Sequence, residues 1–408
     1  MKQIAALKHI ARFEYGDALA REVRTDGDVP VFGSNGIAGS HTQANTLAPA
    51  IIVGRKGSYG KVTWTDMPGF CIDTAFYLDR RHTQANIRWL FWTLQTLGLD
   101  ENSEDTGVPG LSREKAHQEK LWIPTQAEQE RIANFLDEQT GRIDAFIAEK
   151  GRLLAAVREY EQAELSRILT EGLDSQQLVP TGRLFVTGAP SHWRVTAFKR
   201  AMLGLGQGWS PQCESRPAEA HEWGVLKVGC VNGTSFNASE NKALPLVLKP
   251  DLTCVLRRGD VLVSRANTRE LVGMAALVED DHPNLLICDK LYRLQLHPDW
   301  VTAEFSVLLL RSDAARRQIE LGASGASSSM QNISQDVIRE LFVALPPLDE
   351  QVEIVAKARQ IRESCDLLAT HCDEHIDRLR EYRSSLISAA VTGQLDIGAF
   401  QASRLEAV

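Results

Sequence analysis

The 408-residue chain is long enough for two or three domains with hydrophobic cores of their own, and its charged and apolar fractions are those of an ordinary globular protein. It contains no run of about eighteen apolar residues, no secretory signal and no paired spacing among its seven cysteines, so the sequence predicts a cytoplasmic protein without membrane span or disulfide framework. The net charge of −8 excludes no partner, because the acidic excess falls in residues 126–174 and 346–408.

Residues 1–125 are predicted to form a first lobe of mixed α and β structure. An apolar strand, Ile51 to Val53, runs into a loop with several glycines. This loop carries Arg55, Lys56, Tyr59 and Lys61. Cations and an aromatic ring on a glycine-hinged loop can approach DNA phosphates and enter a groove, so the loop is a candidate nucleic-acid contact.

Residues 126–174 are predicted to form a first spacer helix. The positions equivalent to the coiled-coil seam of the second spacer helix, described below, recur here at alternating spacings of three and four, and three of the ten are polar. They are Ile132, Leu136, Gln139, Ile143, Phe146, Lys150, Leu153, Val157, Tyr160 and Glu164. Because polar residues interrupt this seam, the helix is expected to form only against a partner.

Residues 175–345 are predicted to form a linker and a second lobe. A turn at Gly259 feeds the apolar strand Val261 to Val263, which ends in the polar segment Arg265 to Arg269. Its guanidinium and amide groups can bridge guanine and adenine edges in the major groove, so it is a second candidate contact. The small residues from Gly322 to Ser329 are predicted to form a flexible loop.

Residues 346–408 are predicted to form a second spacer helix and a tail. Its seam is Ile354, Ala358, Ile361, Cys365, Leu368, Cys372, His375, Leu379, Tyr382 and Leu386. The stretch from Leu111 to Asp174 aligns with residues 333–396 at a constant difference of 222 and without a gap. The sequence thus predicts an α+β fold in which two mixed α/β lobes are separated by two long helices that form an antiparallel coiled coil with a pseudo-twofold internal repeat.

Two motifs approach known signatures without fitting them. The glycines at 54 and 60 are separated by five residues where a phosphate-binding loop has four, and Val62 follows the lysine. His371 and His375 have a zinc-peptidase spacing, but His375 falls on the predicted seam. We therefore expect no metal, no cofactor and no catalysis by this chain alone.

The order of these elements resembles the specificity subunits of type I restriction-modification systems. The likeness covers nearly the whole chain and rests on Pro124 with Glu128-Gln129, Pro346-Pro347 with Glu350-Gln351, the helix ends at 166–174 and 388–396, and the segments 31–36, 51–61, 190–193 and 259–265. It implies that each lobe is a target-recognition domain reading half of a bipartite, asymmetric DNA site. It also implies that the helices dock two copies of a DNA methyltransferase subunit, which restriction subunits then join.

The resemblance and the residues together give two sets of candidates. The DNA-binding candidates are Ser34, Asn35, Arg55, Lys56, Ser58, Tyr59, Lys61, Gln207, Arg265, Asn267, Thr268, Arg269, Ser327 and Ser328. The partner-binding candidates are Glu128, Gln129, Tyr160, Glu350, Gln351 and Tyr382. Two alternatives stay open: the specificity subunit of a system whose nuclease and methyltransferase are fused, and a coiled-coil scaffold whose lobes bind protein or sugar.

Overall fold

The computed structural model describes residues 2–101, 110–174, 177–327 and 330–400. The chain divides into two compact units, Met1–Leu153 with His371–Val408, and Leu154–Thr370. Each unit combines one lobe with one part of each long helix. Among the residues described, no helix is long and apolar enough to cross a membrane.

In the described residues, the first unit begins with a lobe of nine strands and two short α-helices. The strands are β1 (Ile4–Ala6), β2 (Glu14–Tyr15), β3 (Val29–Gly33), β4 (Gly36–His41), β5 (Ala50–Gly54), β6 (Val62–Thr65), β7 (Phe70–Cys71), β8 (Ala75–Asp79) and β9 (Lys120–Trp122). The helices are α1 (Ile87–Leu94), α2 (Arg113–Gln118) and the long α3 (Gln126–Glu171), which continues into the second unit. The buried strand predicted at Ile51 to Val53 is confirmed as the fully buried centre of β5.

The second unit contains the second lobe and the start of the last helix. Its strands are β10 (Leu178–Pro180), β11 (Gly188–Pro190), β12 (Arg194–Ala197), β13 (Met202–Gln207), β14 (Gly224–Leu226), β15 (Asn241–Ala243), β16 (Val261–Ser264), β17 (Ala266–Asn267), β18 (Ala275–Leu277), β19 (Leu285–Leu286), β20 (Leu291–Leu296), β21 (Ser324–Ser327), β22 (Met330–Asn332) and β23 (Phe342–Leu345). Its helices are α4 (Ala303–Arg311), α5 (Asp313–Gly322), α6 (Gln335–Arg339) and α7 (Leu348–Val391).

The two lobes share the strand order of two sheets although their sequences differ. An antiparallel sheet has the order β2-β8-β5-β6 in the first lobe and β13-β20-β16-β18 in the second. A smaller sheet has the order β4-β3-β7 in one and β15-β14-β19 in the other, each with one parallel pair. The sequence repeat was recognised from residue 111 onward, whereas the structural repeat includes the lobes.

The apolar stripes of the long helices pack against each other and the lobe within each unit. In the first unit, Ile132 and Leu136 near the start of α3 share a core with Leu386 and Ala390 near the end of α7. In the second unit, residues 157–169 of α3 share a core with residues 354–365 of α7. This direction of pairing confirms the antiparallel coiled coil. Each fully buried leucine or isoleucine contributes about 1.5–3 kcal/mol.

The predicted seams need one correction, and it is the same in both helices. Beyond the equivalent residues Ile143 and Cys365, every second seam position moves by one residue. Phe146, Leu153, Tyr160, Leu368, His375 and Tyr382 are exposed, while Ile147, Leu154, Glu161, Ala369, Ile376 and Arg383 take their places and are buried or half-buried. A helix with 3.6 residues per turn drifts about 20° per heptad against a strict seven-residue repeat, and the shift corrects that drift.

Two segments predicted to be irregular contain strands. Within the small-residue run, Ser324–Ser327 forms β21 and pairs with β22, so the flexible loop predicted there is wrong for these four residues. The predicted linker contains the hairpin of β10 and β11. In both cases the pairing partner lies nearby in sequence, but small or proline-containing segments carry little strand propensity of their own.

Candidate nucleic-acid interface

The two candidate segments of the first lobe meet at the end of β5. The Lys61 ammonium group donates hydrogen bonds to the backbone oxygen (2.9 Å) and the side-chain oxygen (2.8 Å) of Asn35. Gly54 permits the approach, because a Cβ on it would lie 2.7 Å from the carbonyl oxygen of Ser34 and 2.2 Å from that of Ser58. The structure therefore brings residues 34–35 and 55–61 into one surface.

Arg55 is anchored where β5 ends. Its amide donates to the carbonyl oxygen of Thr74 (2.9 Å), and its own carbonyl accepts from the amide of Leu111 (2.8 Å). Its Nη1 donates to the carbonyl oxygen of Asp73 at 3.1 Å. The guanidinium carbon also lies 4.9 Å from the centre of the Tyr15 ring, a cation–π distance. Arg55 is thus half-buried and fixed, whereas Lys56 and Ser58 beside it are exposed.

An open cleft of about 1180 Å³ adjoins this loop. Arg55, Lys56 and Tyr59 line it, together with Tyr15, Arg113 and Lys115, which the sequence analysis missed. The Arg113 guanidinium carbon lies 4.7 Å from the centre of the same Tyr15 ring. No local pattern could have found Tyr15 or Arg113, because they reach the loop only through the β2–β8 pairing and the start of α2.

The candidate segments of the second lobe also converge. Arg265 follows β16, and its Nη1 donates to the carbonyl oxygen of Asp289 at 3.4 Å. The side-chain amide of Gln207, at the end of β13, donates to the same oxygen at 3.1 Å. β17 carries Asn267 and pairs with β22, which pairs in turn with β21, the strand that contains Ser327. Gln207, the 265–269 segment and β21 thus belong to one surface.

Two candidates of the second lobe need qualification. Asn267 is only 9 % exposed, its Nδ2 donates to Oδ1 of Asn232 (2.9 Å), and its own Oδ1 accepts from the amide of Thr268 (2.9 Å). In this structure its side-chain amide holds the loop, and its base-facing role stays a prediction. Thr268 is half-buried and Arg269 is exposed. Ser328 lies outside the described residues.

A half-buried arginine, Arg311, supports the loop next to the second surface. Arg311 of α4 donates to the carbonyl oxygens of Ala275 (2.7 Å) and Gly233 (2.6 Å), beside the Asn232 that holds Asn267. Burial, followed by the charges of Arg362 and Arg316, lowers the pKa of Arg311 to about 10. Backbone dipoles therefore take the place of a carboxylate in stabilising this cation.

Four of the six partner-binding candidates are engaged within their own unit. Gln129 and Gln351 are 4 % and 0 % exposed, and their side chains hydrogen-bond to the starts of α1 and α4; their partner-binding role stays a prediction. The Glu128 carboxylate caps its own helix through the amide of Thr125 (2.9 Å). The Glu350 carboxylate holds the imidazole of His192 (2.7 Å) and the indole N–H of Trp193 (3.1 Å).

The remaining two candidates, Tyr160 and Tyr382, occupy equivalent positions on α3 and α7 and are 57 % and 48 % exposed. They belong to the outward residues that the seam shift produces on each helix. Their side chains are therefore accessible for an interaction.

The sequence is similar to those of specificity subunits of type I restriction enzymes. The chain is 32% identical over 180 residues to the specificity subunit of the type I restriction enzyme EcoEI of Escherichia coli, which is 44% of this chain and 30% of that protein. It is 27% identical over 280 residues to the EcoKI specificity subunit of Escherichia coli strain K12, covering 67% of this chain and 57% of that protein. The chain is a homologue of type I specificity subunits. The resemblance read from the sequence is confirmed.

Solved structures place this homologue in the same fold. A chain from a structural study of assembly and conformational transition in the type I R-M system superposes with a TM-score of 0.70 at 15% identity, covering 96% of this chain and 98% of that one. The HsdS subunit from Thermoanaerobacter tengcongensis gives a TM-score of 0.54 at 16% identity, with 96% and 97% covered. No family model matches the chain. This chain spans about a third of the length of the first curated relative named above and somewhat over half of the second.

Proposed function

We propose that this chain is a sequence-specific DNA-binding subunit that reads a bipartite, asymmetric DNA site and directs methyltransferase and restriction subunits to it. The observation that carries the proposal is the placement of Arg55 and Arg265. Each follows the central strand of its lobe, and each sits in a surface of cations, amides and hydroxyls. One lobe alone could present such a surface by chance, but two lobes of the same topology present it at the same place.

The chemistry of the two surfaces suits DNA. Lys56 in the first lobe and Arg269 in the second are exposed, so their charges can meet phosphates without first breaking an internal contact. Arg55 and Arg265 anchor the backbone of the two segments, which favours binding because less ordering of the chain remains to be done. The acidic excess of the chain lies on the long helices, where it does not oppose DNA at the lobes.

Partner docking is assigned to the outward faces of the long helices. Tyr160 and Tyr382 are exposed at equivalent positions, and Phe146 and Leu368 are exposed at another equivalent pair. Related helices that carry related surfaces can bind two copies of one partner. Methyl transfer and cleavage are assigned to the partner subunits. A chain that directs these subunits to DNA is expected in the cytoplasm.

A binding titration tests the DNA-binding role. The chain, alone and with a co-expressed modification subunit, is titrated against random-sequence duplex DNA at several salt concentrations. We expect the logarithm of the binding constant to fall linearly with the logarithm of salt concentration, because bound cations release counterions from the duplex. Salt-independent or absent binding in both preparations would favour the coiled-coil scaffold.

A second step tests sequence reading. Duplexes recovered from a randomised pool by the complex should share a motif of two unlike parts separated by unread base pairs. A single uninterrupted motif would contradict reading by two lobes. The specificity subunit of a fused nuclease-methyltransferase system makes the same prediction and is distinguished by the mass of its partner.

A further inference from the structure

The hydrogen bonds that fix Arg55 in the first lobe recur around Arg265 in the second. The amide of Arg265 donates to the carbonyl oxygen of Lys290 (2.8 Å), as that of Arg55 does to Thr74. The carbonyl of Arg265 accepts from the amide of Ile333 (3.0 Å), as that of Arg55 does from Leu111. We call these two sets of contacts, including the guanidinium bonds to the carbonyls of Asp73 and Asp289, the arginine frames.

The frames establish which other residues correspond. Tyr15 pairs with Phe76 in β2 and β8, and Gln207 pairs with Tyr292 in β13 and β20, so Tyr15 and Gln207 stand at one position. Both contact their frame: Tyr15 through its ring at 4.9 Å from the Arg55 guanidinium, Gln207 through the Asp289 carbonyl oxygen.

A second corresponding position lies at the start of the helix behind each frame. Arg113 begins α2 after Ser112, and Gln335 begins α6 after Ser334, with a difference of 222. In the first lobe Arg113 contacts the Tyr15 ring, so it belongs to the same surface as the frame.

A group that is present and identically held in both lobes cannot by itself make them choose different bases. Different residues beside that group can give the two lobes different base preferences. The first lobe has Tyr15 and Arg113 there, and the second has Gln207 and Gln335.

We propose that the two arginines position the recognition surface, and that the bases of the two half-sites are selected at the positions of Tyr15 and Arg113 in the first lobe and of Gln207 and Gln335 in the second. This inference rests on the proposed function and names the residues that carry its specificity.

The side chains imply which bases are preferred. The Arg113 guanidinium has a fork of N–H groups that matches O6 and N7 of guanine in the major groove. Its ion pair with Glu114 runs through Nε at 3.7 Å, and in the part of the chain that the structure describes no hydrogen bond uses its terminal nitrogens. The Gln207 amide nitrogen gives one N–H to Asp289, so its second N–H and its oxygen can meet N7 and N6 of adenine. The first half-site is therefore expected to contain a guanine at the Arg113 contact, and the second an adenine at the Gln207 contact.

The test compares motifs recovered from a randomised duplex pool by complexes of the full chain with its modification subunit. Arg113→Gln should lower the preference for guanine at one position of the first half about 5- to 150-fold, the equivalent of 1–3 kcal/mol, and leave the second half unchanged. Gln207→Glu should replace adenine by cytosine at one position of the second half, because a carboxylate accepts from N4 of cytosine.

Two kinds of control accompany these variants. Arg80→Gln makes the same charge change in the first lobe at an exposed residue beyond the far end of β8, and should leave the motif and affinity as in the wild type. Arg55→Lys and Arg265→Lys should weaken binding to every sequence to a similar degree while the preferred bases stay the same. The mass of each complex is measured first, so that a variant that fails to assemble is recognised.

The outcomes separate this inference from the proposed function. If the wild-type complex recovers no motif, the proposed function itself is wrong. If it recovers a two-part motif that both Arg113→Gln and Gln207→Glu leave intact, the proposed function stands and the assignment of these positions is overturned. A changed base preference in Arg55→Lys or Arg265→Lys would overturn the positioning role of the arginines.

Discussion

The side-chain oxygen of Gln351 accepts a hydrogen bond from the backbone amide of Thr302 at 2.9 Å. The equivalent Gln129 accepts one from the amide of Asn86 at 2.7 Å. Thr302 and Asn86 are the residues that cap α4 and α1. Each glutamine therefore ties the first turn of a long helix to the start of a lobe helix in its own unit.

Replacing either glutamine should loosen one lobe helix and spare the other. In Gln351→Leu, the amide of Thr302 and the carbonyls of Trp300 and Pro346 lose their partner, and each buried unsatisfied group costs about 1–3 kcal/mol. We expect faster hydrogen exchange over residues 302–306 with no change over 86–90. Gln129→Leu should show the reverse. Gln360→Leu, at an exposed position of the same helix as Gln351, is the matched control.

The hydrogen bonds of Arg311 predict a second local effect, on the stability of the second unit. Arg311→Lys cannot supply enough N–H groups for the carbonyls of Val231, Gly233, Thr234 and Ala275, so we expect the second unit to lose at least about 2 kcal/mol. Hydrogen exchange should rise over residues 231–234 and, through Asn232, over 266–268. The exposed Arg317→Lys should behave as the wild type. Equal protection of both segments in Arg311→Lys would mean that the arginine does not hold this loop.

Each exposed tyrosine is expected to be required for the binding of one copy of the modification subunit. Tyr160→Glu places a charge on the outward face of α3, and Tyr382→Glu does the same on α7, where burial in an interface would require that charge to be desolvated. Native mass spectrometry should find one modification subunit fewer in each single variant and none in the double variant. Gln162→Glu and Ser384→Glu introduce the same charge at neighbouring exposed positions and should retain both copies. Two retained copies in the double variant would remove the tyrosines from the interface.

Lys56 is expected to contact phosphate. Lys56→Met should weaken binding to all duplexes evenly and reduce the slope of log binding constant against log salt by about 1, since one counterion fewer is released. Lys120→Met removes an exposed cation of β9 from the same lobe and serves as the control. An unchanged slope would place Lys56 away from the backbone of the DNA.

Asp79 makes the first lobe sensitive to acid. Burial alone would raise the pKa of this carboxyl, but hydrogen bonds from the Arg81 side chain and from the amides of Leu47 and Arg81 outweigh burial and lower it. A lowered pKa in the folded state gives stability that is complete above the unfolded pKa and is lost as the pH falls through the folded value. The melting temperature should therefore fall as the pH drops below about 4, and it should fall less in Asp79→Asn. An equal fall in Asp79→Asn would mean that this carboxyl does not account for the acid sensitivity.

The sequence predicts most where its patterns are periodic or repeated. The 222-residue repeat predicted two long helices, and the apolar run at Ile51 to Val53 predicted the centre of a sheet. The shifted seam was not predictable from spacing, because Tyr160 and Glu161 differ in exposure only through the accumulated twist of a real helix. The burial of Gln129 depends on Asn86, and the place of Arg113 beside Tyr15 depends on strand pairing. Such contacts link residues far apart in the chain, which local patterns do not encode.

The chain enters each lobe through one strand and leaves it through another, and these two strands pair with each other. Ile4 stands opposite Trp122 in the β1–β9 pair, and Arg194 stands opposite Leu345 in the β12–β23 pair. The two ends of a lobe are thus neighbours in space although more than a hundred residues separate them in sequence. A genetic crossover within each of the two strands would exchange the whole lobe as a cassette and leave the long helices untouched. Under the proposed function, such an exchange would replace one half of the recognised site and leave the outward faces of the long helices unchanged.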